Sequence, residues 1–213
     1  MIGEKQVMTV MRPVMGQFAR PHGPLGWLAA LLIPLGHRPF YARTAAVLQL
    51  QPDDVLLDIA CGAGEFLAEQ AAHVERVTGV DISDIEVRLA RRRLRDRIAA
   101  GTAQVIHVDA ADLPLPDRAF TAINCVGAFL AFNDPAPALA EMHRVLAPGG
   151  RAVVCLEMHG EDGKDHTHDE QLWQTPYYTE QQINDLFTHT GFDHVDITYD
   201  GEAMLVKGTK AGA

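Results

Sequence analysis

From position 55 onward, short apolar runs alternate with longer amphipathic stretches at regular spacing. Residues 55–60 form an apolar run closed by a glycine-bearing turn, the pattern of a strand buried on both faces. Residues 65–74 predict a first helix, 77–81 a second strand, and 85–99 a second helix that ends at Gly101. Third and fourth strands are expected over 104–109 and 119–126. Pro135 opens a helix at its favoured first position, and the breakers from Leu146 to Gly150 end it before a fifth strand over 151–157. Strands alternating with helices at this spacing imply right-handed crossovers and a parallel sheet. The end of the chain differs. Thr179 caps a helix running to Thr190, and strands over 192–199 and 203–207 flank Asp200-Gly201, a short hairpin signal. The expected fold is therefore α/β and doubly wound, with a mostly parallel seven-stranded sheet closed by an antiparallel hairpin.

Before position 47 the chain is helical in character but rich in proline and glycine. We read residues 1–46 as a helical cap or lid over a core of 47–213, the whole forming one domain. The longest apolar stretch, 25–35, is broken by Gly26 and Pro34 and falls short of the roughly twenty residues a membrane span needs. No stable membrane insertion is expected.

Composition narrows the function classes. The formal charge of −10 opposes a nucleic-acid partner, because such affinity rests on neutralising phosphates. The local exception, six arginines between Arg88 and Arg97, reads as the solvated face of a helix. Cys61, Cys125 and Cys155 are odd in number and lack C-x-x-C spacing, which suits free thiols in a reducing cytoplasm. A monomer or homodimer acting on a small molecule fits this profile.

The candidate site is Asp58-Ile59-Ala60-Cys61-Gly62-Ala63-Gly64. Small residues at 60, 62 and 64 allow a sharp turn and close ligand approach at the carboxyl edge of a parallel sheet. Asp58, Asp81 and Asp109 each close one of the first three strands. A single strand-end carboxylate is as readily a helix cap as a ligand contact. Three around one glycine turn point to a shared ligand, with Asp81 placed to accept from ribose hydroxyls.

These blocks resemble the class I S-adenosylmethionine-dependent methyltransferases, whose fold is Rossmann-like. The resemblance runs from about Val47 to Glu157 and rests on 55–64, Gly79-Val-Asp-Ile-Ser83, 107–117 and Glu141-Met-His-Arg-Val-Leu-Ala-Pro-Gly-Gly150. It implies S-adenosyl-L-methionine as cofactor, held by Asp58, Ala60, Gly62, Gly64, Asp81, Ile82, Asp109 and Ala110. Cys125, at the end of the fourth strand, is read as a further cofactor contact or as a core thiol, the core thiol being the stronger reading. The glycine loop would lie against the methionine moiety, Asp81 on the ribose, Asp109 on the adenine amino group, and the Ala110 amide on a ring nitrogen. Ala60 replaces a common glycine, and Leu130-Ala131 replaces the His-His pair of the quinone-type members. Residues 113–117 are read either as a turn over the adenine or as a plain connector.

In the cap, Phe18, His22, Trp27 and Tyr41 are candidate acceptor contacts, with His37 and Arg43 in the same group of residues that would shape the acceptor pocket. His22 is a candidate general base, and Arg38 or Arg43 a candidate partner of the cofactor carboxylate. Each is also explained by packing the cap onto the sheet. His159, His166 and His168, with Asp162, Asp165 and Asp169, fit no established metal-ligand spacing, so no metal is expected. The resulting expectation is methyl transfer to a small, apolar acceptor. The rival readings are a cofactor-binding protein without methylation activity and a fold relative that runs another S-adenosylmethionine-dependent reaction. A dinucleotide oxidoreductase is rejected, because the turn reads A-x-G-x-G where G-x-G-x-x-G would be required.

Overall fold

The computed structural model describes residues 23–132, 134–161, 163–167, 170 and 176–212, and the side chains of 24–36 lie outside that description. Strand β1 (Val55–Ile59) is central, with four of its five residues buried. Beside it lie β2 (Arg76–Asp81) and β4 (Phe120–Val126), with β3 (Ala103–His107) beyond β2 and β5 (Leu146–Leu156) beyond β4. All four pairings are parallel. A hairpin of β6 (His194–Asp200) and β7 (Ala203–Thr209) adds to β5 through antiparallel β7, giving the order β3-β2-β1-β4-β5-β7-β6. The chain winds outward from β1 in one direction and then, from β4, in the other. The crevice at that reversal is where open α/β sheets bind ligands.

Helices cover both faces. On one side α1 (Gly23–Leu48), α2 (Glu65–Gln70), α3 (Asp84–Arg93) and α4 (Arg95–Ala99) follow one another in the chain, and α5 (Ala136–Val145) and α6 (Glu180–His189) supply the other side. Successive strand residues feed opposite cores, as the pleat requires. Leu56, Val153 and Leu205 pack with Leu48, Phe66 and Ala90. Leu57, Val154 and Val206 pack with Leu139, Met142, Ile183 and Phe187. Thr179 forms the expected cap of α6, as a full capping box with Gln182.

Four local readings change. The expected helix over 85–99 breaks at Leu94. The break keeps Leu94 buried while Arg91, Arg93 and Arg97 reach the carbonyls of Val105, Ala63 and Ala71. Five of the six arginines are exposed, as the solvated-face reading expects, and three of the run also donate to backbone oxygens. The helix over 65–74 stops at Gln70. β5 begins earlier than Arg151, with Leu146 paired to Phe120 before an irregularity, and the regular ladder resumes at Arg151 opposite Ala122. Finally, α1 is one 26-residue helix through Pro34 and Pro39, and it crosses the expected boundary at 46. Each proline removes a helical hydrogen bond. Tertiary packing compensates, for Tyr41, Thr44 and Leu48 recur on one helical face and are all buried. No helix among the described residues is long and apolar enough to cross a membrane.

At the amino edge of the strands, Arg151 joins α1, β1 and β4. Its guanidinium donates to both carboxylate oxygens of Asp54 (2.8 and 2.6 Å) and to the carbonyls of Leu48 (2.7 Å) and Gln49 (3.1 Å). Thr121 and the Gln51 amide donate to the same carboxylate.

Candidate functional site

The turn after β1 is built on left-handed backbone. Ala60, Gly62 and Gly64 have φ of 53°, 53° and 77°. The Cys61 amide donates to the Val80 carbonyl, the Gly62 amide to Asp81 Oδ2 at 2.9 Å, and Arg93 to the Ala63 carbonyl. The loop is tied to β2 and α3 before any ligand arrives. A non-glycine residue in this region is strained by about 1–2 kcal/mol. Replacing it by glycine returns about 0.4–1 kcal/mol to the unfolded chain. Ala60→Gly is therefore expected to stabilise by about 0.5–1 kcal/mol and to raise Tm by about 1–4 °C in a thermal melt. An unchanged or lower Tm would show that Ala60 is unstrained.

Above this turn lies a cavity of about 390 Å³ at the carboxyl ends of β1, β2 and β4. Asp58, Ala60, Asp81, Ile82, Asp109 and Ala110 all line it, so the strand-end residues expected to share a ligand do meet at one site. Asp58 is 3% exposed, and burial pushes its carboxyl up to about 7 although Asn124 Nδ2 donates to Oδ1 at 2.6 Å. Asp81 is also raised by burial, against the pull of the Ser83 and Gly62 amides, which donate to its two oxygens. Asp109 sits exposed at the mouth, with Oδ1 accepting from the Ala111 amide.

Gly62 and Gly64 shape the turn from behind the wall. A Cβ on Gly64 would stand 3.0 Å from Ala90 Cβ, so this glycine is required by the approach of α3. Cys125, read from the sequence either as a cofactor contact or as a core thiol, is a core thiol. It is fully buried in the core with Leu57 and Ile59 and does not line the cavity, because strand parity gives that position to Asn124. Residues 113–117 act as a connector: Leu113 and Leu115 are buried in the core, and Pro116 lies at the opposite edge of the sheet beside Val55 and Phe120. Arg144 holds that connector, donating to the carbonyls of Leu113 and Leu115 and to Glu141 and Asp117.

Of the cap candidates, Tyr41 lines the cavity. Phe18 and His22 lie outside the described residues, as does the side chain of Trp27. Arg38 and Arg43 do not line the cavity. Arg38 is exposed, and Arg43 contacts Asp200 and lies over the Phe40 ring. Among the described residues no group of three or more His, Cys, Asp or Glu is placed to hold a metal ion, and Asp162, His168 and Asp169 fall outside them.

Among the polar lining residues, Glu86, Asn124 and Asp134 escaped the sequence reading, whereas His37 was among the cap residues weighed there as packing or acceptor-pocket groups. Glu86 is 4% exposed on α3, its Oε2 lacks a hydrogen-bond partner among the described residues, and burial beside Asp81 and Glu65 pushes it up to about 8. His37 enters from α1. The cavity thus gathers buried acidic groups whose charged forms burial disfavours and a cationic ligand would stabilise.

Residues 57–154 match the family model described as a methyltransferase domain. The demethylmenaquinone methyltransferase of Symbiobacterium thermophilum is 36% identical over 124 residues, 57% of this chain and 47% of that protein. The O-methyltransferase cnsE of Penicillium expansum is 28% identical over 147 residues, 67% of this chain and 53% of that protein. The chain therefore spans about half the length of the curated relatives it matches. Among solved structures, the 4+2 cyclase SpnF superposes with a TM-score of 0.68 at 19% identity, covering 98% of this chain and 96% of that one.

Proposed function

We propose that this chain, which belongs to the class I S-adenosylmethionine-dependent methyltransferase family, transfers a methyl group from S-adenosylmethionine to a small, apolar acceptor. The observation that carries this is the meeting of Asp58, Asp81 and Asp109 with a left-handed glycine turn around one cavity at the sheet's reversal. In this reading the glycine loop receives the methionine moiety, Asp81 the ribose hydroxyls, Asp109 the adenine amino group, and Ile82 and Ala110 the ring. Each Asp81 oxygen accepts one backbone bond and keeps a lone pair for a hydroxyl. The buried carboxylates Asp58, Asp81 and Glu86 suit a ligand whose sulfonium and ammonium are positive.

Methyl transfer from a sulfonium is an in-line displacement, so the protein's task is alignment and exclusion of water. Acceptor size and polarity are read from Val126, Gly127, Ala128, Ala131 and Phe132, the small and apolar part of the wall. The relative named as a demethylmenaquinone methyltransferase favours a small-molecule acceptor. The acidic net charge and three free cysteines support a cytoplasmic monomer or homodimer with no nucleic-acid partner.

Calorimetric titration with S-adenosylhomocysteine tests the cofactor assignment. Asp81→Ala is expected to weaken binding about 10–150-fold in a folded protein, the loss of a charge-assisted hydrogen bond. Unchanged affinity would overturn the ribose placement. Conversion of S-adenosylmethionine to its demethylated product across an acceptor panel tests the transfer itself. Tight binding without turnover would favour a non-catalytic protein.

A further inference from the structure

We propose that His37, positioned by Glu157, is the general base that removes the proton from an acidic hydroxyl of the acceptor. This rests on the methyl-transfer reading and deepens it by fixing the accepting atom as oxygen.

The argument begins with position along the sheet. Asp109 follows β3, Asp81 ends β2, and the glycine turn follows β1, so the cofactor reading fills the cavity from β3 to β1. The next strands are β4 and β5. His37 sits over the residue that follows β4. A Cβ on Gly127 would stand 2.6 Å from its Cε1, and Gly127 has φ +69°. Glu157 follows β5, and its Oε1 lies 3.3 Å from His37 Nε2. His37 therefore lines the end of the cavity beyond the methionine moiety, where an acceptor must stand to attack the methyl carbon, with Glu157 behind it and outside the lining. Gly127, Ala128, Ala131 and Phe132 surround that end, and Tyr41 meets the His37 ring edge-on with centroids 6.4 Å apart.

The chemistry of the two groups fits the task. The Nε2 contact lies within ion-pair distance but lacks hydrogen-bond alignment, so Glu157 Oε1 is buried without a hydrogen-bond partner among the described residues. Catalytic hydrogen bonds often align only once substrate is bound. Burial lowers the His37 imidazole and pushes the Glu157 carboxyl up to about 7. A neutral imidazole with its proton on Nε2, the nitrogen 3.3 Å from Glu157, leaves Nδ1 as the basic nitrogen. As the acceptor oxygen bonds to the methyl carbon, its proton passes to Nδ1. The carbon–sulfur bond breaks with its electron pair retained by sulfur, giving neutral S-adenosylhomocysteine. Glu157 stabilises the imidazolium until it returns the proton to water. Asp58, Asp81, Glu86 and Asp109 lie at the cofactor end; Asp134 lines the cavity near Ala131 and Phe132, and His37 is the lining group there whose basic form is uncharged.

The test uses the full chain, S-adenosylmethionine and para-substituted phenols running from acidic nitrophenol to weakly acidic methoxyphenol. A positioned base contributes about 10²–10⁴-fold, and most where the acceptor holds its proton tightly. His37→Gln is expected to lower kcat on methoxyphenol about 100-fold, with a loss on nitrophenol at least about tenfold smaller, while S-adenosylhomocysteine affinity stays within about twofold. Glu157→Gln should lower kcat less and leave KM unchanged. Equal losses across the series, no loss, or a matching fall in S-adenosylhomocysteine affinity would each overturn the proposal. If the native protein methylates thiols or amines but no phenol, this proposal fails and methyl transfer stands. If it methylates nothing, the underlying reading fails with it. Nitrogen-15 histidine spectra of the S-adenosylhomocysteine complex need no acceptor: the His37 proton is expected on Nε2, and a proton on Nδ1 overturns the assignment.

Discussion

Asp54→Ala is expected to destabilise the protein by about 3–5 kcal/mol, lowering Tm by about 6–20 °C in thermal melts and shifting urea unfolding to match. Asp54 is 4% exposed and accepts from Arg151 at both oxygens, from Thr121 Oγ1 at 2.5 Å and from the Gln51 amide at 2.6 Å. Truncation leaves the Arg151 guanidinium without its counter-charge while it remains among the Leu48 and Gln49 carbonyls. It also frees the end of α1 from β1. Burial raises the Asp54 carboxyl, but the bonds from Arg151, Thr121 and Gln51 outweigh it and hold the group below its usual range. Its contribution is therefore present above the ordinary carboxylate pKa and is lost as pH falls through the depressed value. A loss below about 1 kcal/mol would place the pair with ordinary surface ion pairs. Arg151→Lys keeps the charge but not the fork, and should lose a large part of the same stability.

Gly64→Val is expected to cost about 2–5 kcal/mol and to remove measurable S-adenosylhomocysteine binding. Left-handed backbone contributes about 1–2 kcal/mol of strain, at φ +77°. Overpacking adds about 1–3 kcal/mol, because the new Cβ would lie 3.0 Å from Ala90 Cβ and 3.2 Å from Ala90 Cα, a backbone atom that cannot rotate away. Gly62→Val separates the two effects. There the Cβ meets only Glu86 Oε2, at 3.9 Å, so backbone strain acts alone at φ +53°. Urea unfolding and ligand titration of both variants check the ranking. A Gly64→Val protein within about 1 kcal/mol of native stability, still binding ligand, would mean that the turn is not held against α3.

The strand-end carboxylates that meet at the cavity were legible because strand ends can be read from local pattern. A run such as 55–59 must be a buried strand, so whatever follows it stands at the sheet's carboxyl edge. Asp58, Asp81 and Asp109 inherit their shared location from that rule alone. Capping of α6 by Thr179 was legible for the same reason, since its partner Gln182 lies three residues away.

Glu86 was not legible. Between Asp84 and Arg88 it reads as helix surface, and its burial depends on how α3 rotates against the glycine turn. Cys125 and Asn124 differ by one step of strand parity, and only the register of β4 against β1 decides which of them meets Asp58. The prolines of α1 signalled interruption, yet Tyr41, Thr44 and Leu48 gain enough burial for the helix to continue. Sequence by itself determined the order of elements, the parallel sheet with its terminal hairpin, and the strand-end carboxylates, because each rests on spacing within a few residues. Tertiary structure alone decided the Asp54–Arg151 clamp, 97 residues apart, and the approach of His37 to Glu157. Such pairs arise only when distant strands and helices are brought side by side, and nothing in the local pattern of either partner records the other.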